Sequence, residues 1–172
     1  MQVTHDKVIR FGAYWRSRCH DGLLPTKADI VPEDLGAILA NLSLWQVEGD
    51  GDDFLCRLRG ENLAHDYGPH PRGRRLREMI RENPLIAGLA QDFRRCLMLH
   101  QPIEIADHFA VEPRTMKRTV GLIAPLSVDG VEVDMLICCA VHLSLEHGAW
   151  HEVPMPRTAL WALPRQEDHT LQ

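Results

Sequence analysis

An α+β domain with an antiparallel sheet of about five strands is what this sequence predicts. Three observations lead there. Asn41 to Gly60 reads as strand, turn, strand. Apolar residues at three- and four-residue steps mark helices on either side of it. From Ile103 to Leu143 the chain alternates or runs apolar, as strands do. Strands followed by helices and then by more strands give an α+β order rather than a parallel α/β one.

Composition sets the frame. A chain of 172 residues suits one domain, and 45% hydrophobic residues can build a real core. The formal charge of -5 argues against a nucleic-acid binder, which needs a basic surface to displace counterions. Arg72, Arg74, Arg75, Arg77 and Arg81 form a local basic run, read as a solvated loop and helix edge. The cysteines Cys19, Cys56, Cys96, Cys138 and Cys139 are odd in number and lack a CxxC. A reducing, cytoplasmic setting fits them. Met1 to Arg10 has no apolar signal core and no run reaches membrane-spanning length, so no membrane partner is expected.

Taken in order, Val8, Phe11, Trp15 and Cys19 trace one face of a first helix, widened by Ile9 and Tyr14. Pro32 suits the first position of a second, short helix, with Leu35, Ile38, Leu39 and Leu42 on its face. The hairpin follows. Leu42, Leu44, Trp45 and Val47 load its first strand, and Phe54, Leu55, Cys56 and Leu58 its second. Gly49-Asp50-Gly51 reverses the chain, because glycine tolerates positive φ. Asn83-Pro84 opens a longer helix with Ile86, Leu89, Phe93, Cys96 and Leu97 on one face, and Pro102 ends it. Ile103 to Val111, Thr115 to Leu126 and Val131 to Leu143 complete the sheet. A two-residue turn at Asp129-Gly130 would pair Leu126 with Val133, Ala124 with Met135 and Leu122 with Ile137. Residues 1–146 are expected to form one domain and 147–172 an irregular tail.

Particular residues in this order resemble a known family. They are Tyr14-Trp15, Pro25, Asp29, Pro32 and Leu39, then Arg57-Leu58-Arg59-Gly60, Gly73-Arg74-Arg75-Leu76 and Gln101-Pro102. Between Val8 and Leu143 the chain resembles a PAS domain. More narrowly, it resembles the stand-alone bacterial PAS-like family formerly catalogued as a domain of unknown function. The resemblance implies helices on one face of the sheet and a flanking N-terminal helix. It implies a non-catalytic sensory or regulatory module that binds a small ligand, a protein signalling partner, or both. PAS domains often dimerise, so a homodimer is expected, with Val8, Phe11 and Trp15 as its candidate interface.

The candidate cavity comprises Trp45, Cys56, Leu58, Phe93, Leu97 and Ile105, together with Asp107, Phe109, Val120 and Leu122. The cysteine motif of flavin-binding light sensors is missing, and neither CxxCH nor paired histidine spacing appears, so flavin, haem and metal are not expected. The acidic turn at Asp50, Asp52 and Asp53 lacks the closing glutamate of a calcium loop. Asp107 stands out: alternation puts it with Ile105 and Phe109 on an apolar face, where a carboxylate is expensive unless paired or protonated. Its alternative use is as the general base of a small α+β isomerase or lyase.

Overall fold

The computed structural model describes residues 5–63, 70–112, 115–152 and 161–162; side chains at 85, 106–117, 146 and 161–162 lie outside that description. In chain order the helices are α1 (Asp6–Ser17), α2 (Pro32–Leu35), α3 (Leu76–Glu82) and α4 (Ala87–Leu99). The main strands are β1 (Leu42–Glu48), β2 (Asp53–Arg59), β3 (Ile103–Glu112), β4 (Thr115–Leu126) and β5 (Met135–Glu146). Their spatial order is β2-β1-β5-β4-β3, antiparallel throughout. The fold is α+β and PAS-like, as the sequence predicts.

Both faces of this sheet are buried, by different helices. On the inner face Trp45, Phe54, Cys56, Ile105, Ile123 and Leu136 pack with Leu76 and Met79 of α3 and Phe93 and Cys96 of α4. On the outer face Leu42, Leu44, Val120, Leu122, Ile137 and Val141 pack with Val8, Phe11 and Trp15 of α1. Alternation explains the division: Leu44 and Trp45 are neighbours in β1 and enter opposite clusters.

The β4–β5 hairpin closes two residues further out than the sequence suggests. Leu126 pairs with Met135, Ala124 with Ile137 and Leu122 with Cys139. Asp129 is the cause. Its carboxylate accepts from the Val131 and Glu132 backbone N–H groups, each at 2.9 Å, and from Ser127 Oγ at 2.8 Å. Asp134 accepts from the Val128 N–H at 2.8 Å. These bonds stabilise a wide loop instead of a tight turn. A slip of two leaves every side chain on its expected face.

Part of the expected irregular tail is regular, while 153–160 and 163–172 lie outside the described residues. Ala149–Glu152 forms β6, paired with β5, and Trp161–Ala162 forms β7, paired with β3. The sheet therefore extends past the expected boundary at 146. Among the described residues no helix is long and apolar enough to cross a membrane.

Candidate functional site

The inner face gathers half of the expected cavity residues. Trp45, Cys56, Phe93 and Ile105 share one buried cluster, and Leu97 packs against it partly buried. Trp45 and Phe93 meet edge to face with centroids 5.3 Å apart, and Phe54 and Phe93 do so at 4.9 Å. Quadrupole attraction favours this geometry over face-to-face stacking. The three rings occupy the space between the β1–β2 hairpin and α4. Arg94 pins α4 to the hairpin, donating to the carbonyls of Gly51 at 3.0 Å and Asp52 at 3.2 Å. The acidic turn thus receives cationic side chains at its backbone.

Three expected members lie elsewhere. Val120 and Leu122 face outward, toward α1. Leu58 is 48% exposed. A bulge moves it: Trp45 pairs with Cys56 but Leu44 with Leu58, which leaves Arg57 as the extra residue. The bulge takes Leu58 off the inner face that Cys56 occupies. Asp107 and Phe109 belong to β3 by backbone, where Asp107 pairs with Thr119 and Phe109 with Lys117; their side chains lie outside the described residues.

The stripe expected as a dimer interface is covered by the chain's own sheet. Val8 is 1%, Phe11 0% and Trp15 5% exposed. Lys7 reinforces the seating of α1 by donating to Glu152 of β6 at 2.6 Å and to Asn41 at 3.1 Å.

Two inner-face residues escape a reading based on apolar periodicity. Thr119 and His142 are cross-strand partners in β4 and β5, and the Thr119 hydroxyl lies 2.9 Å from His142 Nδ1. Both are buried. Each stands two residues from an inner-face position, Gly121 and Ala140, so the pair ends the apolar cluster on that side. The signal available in the sequence was His142, a polar residue within the apolar run from Met135 to Leu143; Thr119 follows Lys117-Arg118 and gave no such signal.

The inner thiols are poor nucleophiles. Burial pushes Cys56 up to about 11 and Cys96 up to about 12. It raises Cys138 well above the ordinary thiol value, helped by the neighbouring Cys96. A neutral thiol is neither a metal ligand nor an attacking group. Among the described residues no cluster of histidine, cysteine or carboxylate has the geometry to hold a metal ion.

A sheet in the order β2-β1-β5-β4-β3, with helices inserted between β2 and β3, defines a PAS-like domain. No protein-family model matches the chain, and no curated protein matches its sequence. Among solved structures the chain is similar to a fungal LOV-domain photoreceptor. That similarity has 18% identity over 62% of this chain and 78% of the other, with a TM-score of 0.36.

Proposed function

We propose that this chain is a non-catalytic sensory or regulatory module of the PAS type. It acts in signal transduction by binding a small ligand at the inner face and by passing the change to a protein partner. The observation that supports this reading is the buried Thr119–His142 pair at the end of an apolar inner face. A hydroxyl and an imidazole in such a setting can orient a polar group of a ligand whose body is apolar. The reading includes a cytoplasmic setting and self-association. Self-association would use a surface other than Val8, Phe11 and Trp15. General-base use of Asp107 has no described side chain to rest on.

The test is mass spectrometry of molecules released when the purified protein is denatured, followed by add-back. The expected result is a near-stoichiometric small molecule that raises the melting temperature when returned. Thr119→Val and His142→Phe should each reduce that rise. Absence of any such molecule, or a rise untouched by both variants, would count against the inner-face site.

A further inference from the structure

One edge of β5 pairs with β4. Its other edge is shared by two strands. β1 pairs there as far as Cys139, opposite Leu42, and β6 takes over at Leu143, opposite Glu152. Ala140, Val141 and His142 lie between the two pairings. His142, the imidazole of the inner-face pair, therefore stands where one neighbouring strand hands over to another.

Side chains hold both sides of this junction. Asn41, immediately before β1, is 2% exposed and donates from Nδ2 to the Ala140 carbonyl oxygen at 3.0 Å. Glu152 lies across the edge from Leu143, the neighbour of His142. A single cation joins the two. Lys7 Nζ donates to Asn41 Oδ1 at 3.1 Å and to Glu152 Oε1 at 2.6 Å. Asn62, just after β2, donates to the same Asn41 oxygen at 3.1 Å, and His5 Nε2 lies 3.7 Å from Glu152 Oε2. The stretch of β5 that carries His142 is thus bracketed by two groups that one ammonium ties together.

The place of Lys7 in its own helix is a second, independent observation. It sits beside Asp6 in the first turn of α1, where the helix dipole favours anions and disfavours cations. The helix alone gives no reason for a lysine there. Its acceptors do, and they lie 34 and 145 residues away in the chain. A residue that breaks a local rule in favour of distant contacts marks a constraint imposed by the whole fold. The strand at the far end of the clasp is free to respond, since all four residues of β6 are exposed.

We propose that Lys7 is a positioning residue for the Thr119–His142 pair, fixing His142 through Asn41 and Glu152 and so regulating how that pair receives a ligand. This rests on the reading of the pair as the binding site. Coupling of this kind is reciprocal. A ligand that moves His142 loosens the clasp, and the change emerges at the start of α1 and on β6.

The experiment needs no ligand. Imidazole nitrogen signals of the full chain are recorded by nuclear magnetic resonance at one pH, with His142 assigned by its loss in His142→Phe. Amide exchange in β6 is measured alongside. Lys7→Met should shift the His142 ring signals and speed β6 exchange about tenfold. Lys7→Arg should restore the ring signals at least in part. Glu152→Gln, at an exposed strand, should shift them as Lys7→Met does and serves if Lys7→Met fails to fold. Thr119→Val, acting from the other end, should speed exchange in β6. Arg18→Gln breaks a different ion pair of α1, the 2.6 Å contact with Asp34, and should leave both readouts unchanged. Faster β6 exchange with unmoved His142 signals in the clasp variants would make Lys7 merely structural and overturn the proposal. So would a His142 shift in Arg18→Gln as large as in Lys7→Met, or β6 exchange indifferent to Thr119→Val. Because no ligand enters, failure here is distinct from failure of the binding site in the mass-spectrometric test.

Discussion

The indole Nε1 of Trp15 donates a 2.9 Å hydrogen bond to the carbonyl oxygen of Pro125. The helix that precedes the sheet is thereby bonded to one of its interior strands. Trp15→Phe should keep the fold and lower stability by about 1 kcal/mol, the usual net value of one such bond. Phe11→Asp should unfold the chain, because it places a carboxylate at a fully buried position. Urea denaturation and sedimentation would check both. A folded Phe11→Asp monomer derived from a dimeric wild type would restore the helix as an interface.

Phe93 stands between Trp45 and Phe54. Phe93→Ala should cost about 3–5 kcal/mol through lost burial and the cavity left behind. In a double-mutant cycle with Trp45→Leu the coupling should be about 0.5–1.5 kcal/mol. Simple additivity in urea melts would show that the rings do not interact beyond their area.

Gly60 follows β2 where the chain passes the end of the 3-10 helical turns Gly36–Asn41 that continue α2. A Cβ there would meet the Ala40 carbonyl oxygen and lie 2.6 Å from that of Leu39. Neither backbone atom can rotate away, so Gly60→Ala should destabilise by about 3 kcal/mol. Gly73→Ala provides the comparison. Gly73 has φ +81 with open space around its Cβ direction, so only the left-handed backbone penalty of about 1–2 kcal/mol applies. Equal effects in thermal melts would refute the steric account.

Asp129 carries a pH signature. Its bonds to the Val131 and Glu132 N–H groups hold its carboxyl below the usual carboxylate value. Stability from a depressed carboxyl is present above the unfolded pKa of about 3.9 and is lost as pH falls through the lower folded value. The stability gap between wild type and Asp129→Asn should therefore narrow below about pH 4. A gap constant from pH 7 to 3 in urea titrations would mean that the carboxylate charge contributes nothing.

The inner thiols titrate at the other end. Their folded pKa values are raised by burial, so the folded state binds the proton more tightly than the unfolded chain. That contribution is complete below the unfolded value and is lost as pH rises toward about 11 for Cys56 and about 12 for Cys96. Stability should fall above roughly pH 9, and less steeply in Cys96→Val. Identical alkaline slopes for the two proteins would remove Cys96 from the account.

How legible this was in the sequence differs between fold and site. The β1–β2 hairpin could be read because its two apolar runs flank a glycine-rich reversal. The long strands could be read because apolar stretches, Val120 to Leu126 and Met135 to Val141, dominate them. What those runs could not reveal is direction. A sheet buried on both faces is apolar at odd and even positions alike, so alternation loses its sign. Val120 and Leu122 were assigned to the inner face for that reason. Leu58 was misplaced because a one-residue bulge at Arg57 leaves no compositional trace. The wide α1 stripe suggested a partner because nothing local indicates that a helix will fold onto the far side of a sheet.

The division of the core between two faces gives this protein a pair of intrinsic optical reporters. Trp15 sits in the outer cluster and Trp45 in the inner one, while Trp150 is 38% exposed on β6. Emission from an indole follows the polarity around it. A shift that survives in Trp15→Phe and vanishes in Trp45→Phe would therefore date an event on the α4 side of the sheet. The opposite pattern would date one beneath α1. Time-resolved fluorescence could then order the two as a signal crosses a wall one strand thick.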